Sequence, residues 1–151
     1  MKKFVSFLLA AVLVLSLAGC KFVTYEDTNG DEDFSLQTLT TADITSNANT
    51  CSQIMSTKSV INNVTTCTAK EISGVIKLYE TRLRNQDFEI QVSSEVSKGN
   101  ARLVLIVDNT IVHDFMLNKK EQTFSLKKYS GNIRLKLAGE SAKYKITYTI
   151  N

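Results

Sequence analysis

The sequence predicts an all-β fold: an antiparallel β-sandwich of about seven to eight strands, jelly-roll-like in character. Two observations carry this expectation. From about residue 71 onward, apolar and polar residues alternate with period two, and turn residues interrupt the runs at the spacing of sandwich strands. No helical period is present after residue 70.

Each element has its own signal. Residues 71–83 read as a strand with a mixed face. Phe88, Ile90, Val92 and Val96 alternate with Glu89, Gln91, Ser93, Glu95 and Ser97, and Lys98-Gly99-Asn100 reads as a turn. Residues 103–107 are apolar on both sides, which fits a central strand and favours a sandwich over a closed barrel. Asp108-Asn109 is a tight-turn signal, followed by a strand over 111–117 that Asn118-Lys119-Lys120 closes. Phe124 and Leu126 share one side of residues 123–127. Ile133, Leu135 and Leu137 alternate with Arg134 and Lys136, and Tyr144, Ile146, Tyr148 and Ile150 alternate with Lys143, Lys145, Thr147 and Thr149. Residues 51–68 leave three readings open: a short helix, an irregular loop or an edge strand.

The first third has a different composition. Glu26, Asp27, Asp31, Glu32 and Asp33 cluster together, and a Thr/Ser/Asn/Ala-rich stretch runs over 38–50. Neither part carries enough apolar surface to hold a fold alone, so residues 20–50 are expected to form an acidic, polar tether. Phe34, Leu36, Leu39 and Ile44 are scattered through it and can dock on the domain. Ahead of it, Lys2 and Lys3 precede an apolar run over 4–17, broken only by Ser6 and Ser16. That run is short for a membrane span of ~20 residues and is of signal-peptide length.

Leu17-Ala18-Gly19-Cys20 ends the run and resembles the lipobox of bacterial lipoproteins. The resemblance implies that the Cys20 thiol carries a diacylglyceryl group, that residues 1–19 are cut away, and that the protein sits on the outer face of the cytoplasmic membrane. Two acyl chains on one residue supply the two hydrophobic signals that stable anchoring needs. The expected division is therefore signal peptide 1–19, tether 20–50 and β-sandwich domain 51–151. The formal charge of +3 includes Lys2 and Lys3; without them 16 basic and 15 acidic side chains remain, which gives no argument for nucleic acid. The strands over 88–96 and 102–107, the Lys98-Gly99-Asn100 turn and residues 131–150 with their 137–143 loop are similar to small extracytoplasmic jelly-roll-like modules. Such modules occur as lipoprotein domains in Gram-positive bacteria and beside secreted hydrolases. The resemblance implies a binding or accessory role and carries over no functional residues.

The candidate sites are few. Keeping Ile133, Leu135 and Leu137 on one face with Tyr144, Ile146 and Tyr148 requires a hairpin that pairs 137 with 144 and 135 with 146. Its other face then brings Lys136 opposite Lys145, with Arg134 and Lys143 beside them. Like charges opposed across strands are destabilising. The four form either a solvated lysine face or a patch for an anionic partner such as phospholipid head groups or a wall polymer. With Cys20 lipidated, Cys51 and Cys67 remain as a pair in a compartment where disulfides persist. A bridge would close a loop of about 15 residues, for about 3 kcal/mol of stabilisation in the chain-entropy model.

Other patterns stop short of a site. Residues 27–33 begin like a calcium loop, but Glu32 stands where glycine is needed and Thr38 where a bidentate glutamate is expected. His113, the only histidine, is expected half-buried and hydrogen-bonded on the Ile111/Phe115/Leu117 side of its strand. No nucleophile-elbow, zincin or phosphate-loop pattern is present, and no spacing marks two of Glu80, Asp87, Glu89, Asp108 and Asp114 as an acid–base pair. Tyr79, Tyr129, Tyr144 and Tyr148 can stack on sugars, with Tyr144 and Tyr148 better placed for the core. The expected function is a membrane-anchored, non-enzymatic binding or accessory module without cofactor or metal. Its partners would be an anionic surface polymer, a carbohydrate or a surface protein. The alternatives are a structural lipoprotein docking another surface protein and, behind it, a small hydrolase.

Overall fold

The computed structural model describes residues 36–151. The signal peptide, Cys20 and the calcium-like stretch therefore lie outside the described residues. Helix α1 (Thr41–Thr45) is followed by β1 (Thr50–Ile54), β2 (Thr57–Ile61), β3 (Val64–Val107), β4 (Thr110–Phe115) and β5 (Gln122–Ile150). Strands take 77% of these residues and the helix has five, so the all-β expectation holds. The strands form one antiparallel sheet, in which the expected short strands are merged into two long, bent ones, β3 and β5.

The register explains how two long strands make most of the ladder. Residues 133–139 of β5 lie between 74–81 and 101–107 of β3; residues 144–149 lie between 64–69 and 91–96 of the same strand. β1 borders 71–75, β2 borders 64–68 and β4 borders 103–107, each pairing on one side only. Two tight reversals have the same chemistry. Asn62 and Asn63 (φ 50° and 63°) join β2 to β3, and Asp108 and Asn109 (φ 44° and 70°) join β3 to β4. Asparagine and aspartate tolerate this left-handed backbone, and the resulting turn matches strand twist. The ambiguous stretch 51–68 is thus two edge strands and a hairpin.

Two sequence expectations fail here. Lys98-Gly99-Asn100 is not a reversal: the chain stays in β3 and bends, with Gly99 at φ +72°. A Cβ on Gly99 would stand 2.4 Å from the Ser141 carbonyl oxygen, so β5 presses directly on the bend. The hairpin pairing 137 with 144 does not form either. Leu137 pairs with Ile76 and Leu103, whereas Tyr144 pairs with Ala69 and Val96. Between Gly139 and Ala142, β5 spends one residue more than β3 does between Ile72 and Gly74. Such a bulge flips which side chains face inward, so odd residues point to the core before it and even residues after it. The change of parity marks a bulge in a continuing strand, not a loop.

The large apolar cluster gathers Leu103, Leu105, Ile133, Leu135, Leu137, Tyr144, Ile146 and Tyr148 among others. A second cluster lies on alternate residues: Val75, Val104, Ile106 and Ala138, closed over by Ile44 with Leu36 and Leu39. Residues 103–107 are buried on both faces for this reason, as their composition predicts. Residues 36–49, assigned from sequence to the tether, are therefore part of the packed body. Ile44 is completely buried, and Thr40 and Asp43 form a reciprocal capping box that starts α1 beneath it.

Candidate functional site

The bulge in β5 decides where each cation of the expected patch goes. Arg134 and Lys136 precede it and point to the face covered by residues 44–48. They are 3% and 0% exposed. The Lys136 ammonium donates to the Ser46 and Ala48 carbonyls, and Arg134 donates to the Ser46 carbonyl, to the Asn47 side chain and to Asn109 Oδ1 at 2.6 Å. Burial pushes the Lys136 ammonium below its ordinary pKa, and Arg134 and Lys77 add to this, while Glu80 opposes them. Lys136 faces Lys77 across the ladder rather than Lys145, and Lys77 is bonded to Glu80. The two cations are thus occupied in holding the covering segment and are closed to an external anion. A buried cation costs less when its protons are satisfied in this way.

Lys143 and Lys145 follow the bulge and, like Arg134 and Lys136, face away from the large cluster, but no segment covers them and they are exposed. They line an open recess of about 360 Å³ together with Thr68, Lys70, Glu95, Ser97 and Met55. The volume is within the range of small-ligand sites. Lys145 sits between Thr68 and Glu95 in the ladder, and Lys143 beside Lys98. Among the described residues, Lys70, Lys143 and Lys145 form no ion pair; Lys98 reaches Glu71 at 4.0 Å. Three ammonium groups against one lining carboxylate leave the recess positive, with the Ser97 hydroxyl beside them; the Thr68 hydroxyl is bonded to that of Thr57 at 2.7 Å. Tyr144 also borders the recess. Burial pushes its phenol up to about 12, with the Cys67 and Cys51 thiols adding to the shift and the 3.4 Å bond from Gln53 Nε2 working against it. At neutral pH it is an uncharged donor.

The remaining expected residues are dispersed. Cys51 and Cys67 are both free: Cys51 sits opposite Gly74 at the β1 edge and Cys67 between Lys58 and Ile146. The expected bridge is not formed, and burial raises both thiols above their ordinary pKa. His113 packs its ring 4.7 Å from Phe115 and 5.3 Å from Phe124. Ile111 does not share its side, because an extra residue between 111 and 113 shifts the register against 105–106. The carboxylates each have separate partners: Glu80 with Lys77, Asp87 with Lys127 and the Lys128 amide, Asp108 with Tyr129 and the Asn132 amide, and Asp114 with Arg102.

Glu140 was not singled out by sequence. Its carboxylate accepts the backbone N–H groups of Gln37, Thr38 and Leu39 at 2.8, 2.6 and 2.9 Å, and the Thr38 hydroxyl at 2.7 Å. These bonds, led by the Gln37 amide, hold its pKa at about 2. Glu140 and the pair Arg134/Lys136 clamp the two ends of the covering segment. Thr40-x-x-Asp43 has the form of a cap signal that the tether reading passed over; Glu140 carried no signal, since its partners lie a hundred residues away. No protein-family model matches the chain and no curated protein matches it, so the recess is read from its own geometry.

Proposed function

We propose that the chain is a lipid-anchored, extracytoplasmic binding module, non-enzymatic, whose recess takes an anionic ligand. The observation that carries this reading is the set of three exposed lysines, Lys70, Lys143 and Lys145, converging on one recess without ion-pair partners among the described residues. Fixed cations beside a hydroxyl suit a phosphate-bearing polymer of the cell surface better than a neutral sugar. The Leu17-Ala18-Gly19-Cys20 sequence supports the address: acylation of Cys20 and exposure on the outer face of the cytoplasmic membrane. The register also supports a two-layer, jelly-roll-like sandwich. In one layer, β1, 71–83, 131–140, 100–107 and β4 lie side by side; in the other, β2, 64–69, 143–149, 90–98 and 122–126 do so. The long strands would cross between layers at the bends near 70, 99 and 141.

The test is titration with poly(glycerol phosphate) and, as the neutral control, dextran. Saturable binding to the phosphate polymer alone is expected, weakening as salt screens it. Replacing Lys70, Lys143 and Lys145 together by Gln should weaken it about threefold to a hundredfold, since each lost charge contact is worth a few tenths to 1 kcal/mol at an exposed site. Equal binding of dextran, or no effect of the triple replacement, would contradict the reading.

A further inference from the structure

We propose that the apolar tip of the β2–β3 hairpin docks into an anionic lipid bilayer. The tip turns through Asn62-Asn63 and is two strands wide. Val60, Ile61 and Val64 project from it and are 65%, 68% and 36% exposed. Residues 59–69 contain no charged side chain, so inserting the tip takes no hairpin charge out of water. β2 is an edge strand with all five residues exposed, so nothing among the described residues covers this side of the hairpin.

What selects a bilayer as the occupant is the charge behind the tip. Lys70 ends the uncharged stretch on the hairpin's second strand, and Lys145 and Lys143 lie on the adjoining run, where Thr149 is level with Val64. At about 3.3 Å per residue, these lysines stand roughly 13–20 Å behind the tip. A narrow apolar wedge with a cationic collar fits an anionic leaflet, in which the wedge meets acyl chains and the collar meets head groups. A flat protein partner would require a broader apolar face than three side chains provide. Lys58 is not part of the collar, because its ammonium donates to the Leu78 carbonyl at 2.9 Å. Glu89, the acidic side chain at this end, lies across β5 from the hairpin and accepts from the Asn151 amide. The docking shares the recess lysines with the function proposed above, and its wedge is independent of that reading.

The chain has no tryptophan, so a single introduced one reports on its own site. Ile61→Trp at the tip and Val112→Trp on β4, which replaces another exposed apolar residue, are compared in the full-length protein. Vesicles contain phosphatidylglycerol and brominated phosphatidylcholine, and flotation is followed in parallel. The expected result is a blue-shifted Ile61→Trp emission, quenched severalfold more than that of Val112→Trp. The proposal is overturned if the protein floats while Ile61→Trp emission stays unshifted; the N-terminal anchor would then stand alone. Equal quenching at both positions means general adsorption and also overturns it. A shift of Ile61→Trp that follows protein concentration without lipid assigns the tip to a second protein and overturns the bilayer. Loss of polymer binding in the triple lysine variant with the tip shift retained would uphold the wedge on its own.

Discussion

Glu140 shows how one side chain can organise a segment. Three backbone N–H groups and a hydroxyl converge on its carboxylate, and its pKa of about 2 lies below the ordinary 4.5. A carboxylate with a depressed folded pKa contributes stability that is present above its unfolded pKa and lost as the pH falls through the folded value. The wild-type protein should therefore lose this contribution between about pH 4.5 and pH 2. Glu140→Ala should cost about 1–2 kcal/mol at neutral pH and show a flatter acid dependence over that window in thermal melts. Hydrogen exchange at Gln37, Thr38 and Leu39 should quicken in the variant while the residues of β3 keep their protection. A uniform rise in exchange throughout the sheet would mean that Glu140 acts on the whole fold rather than on this segment. Arg134 and Lys136 show the converse case. They are cations without carboxylate bonds, satisfied by the carbonyls and amides of the residues they hold, which removes them from the anion-binding surface.

At the scale of elements, the bends in β3 and β5 decide the architecture. Gly99→Ala tests this directly, since its φ of +72° and the Ser141 oxygen 2.4 Å from a Cβ combine backbone strain with collision. A loss of about 3 kcal/mol or more is expected in denaturant melts; a loss under 1 kcal/mol would mean that the two strands are not pressed together there. The sequence carried the inward and outward pattern of most runs, the double-sided burial of 103–107 and the Asp108-Asn109 reversal, because each depends on residues close in the chain; the bulge that turns Ile111 away from His113 was not among them. Bends were not separable from turns. Lys98-Gly99-Asn100 has turn composition whether the chain reverses or only changes direction, and the difference lies in β5, forty residues on. The parity flip between Leu137 and Tyr144 was legible as well, yet a bulge and a hairpin loop produce the same flip. Only the partners on β3 distinguish them, and with them the fate of the four basic residues.

At the scale of the molecule, the covering segment and the recess occupy different stretches of β5, the first over 134–140 and the second at 143–145. Residues 36–49 close the second face through Ile44, Leu36 and Leu39, so the body of the protein begins before the domain boundary that composition suggests at residue 51. Composition is a poor guide there, because a few apolar residues suffice when the sheet supplies the rest of the contact. The recess was half legible: Lys143 and Lys145 were identified, whereas Lys70 joins them only through the 64–69 pairing with 144–149. Under the proposed function, this body is displayed outside the cell membrane on a lipid. The most direct test is the intact mass of the protein recovered from its native membrane. The expected result is a chain beginning at Cys20, 132 residues long, carrying an added diacylglyceryl group. An unmodified chain that retains residues 1–19 would contradict it.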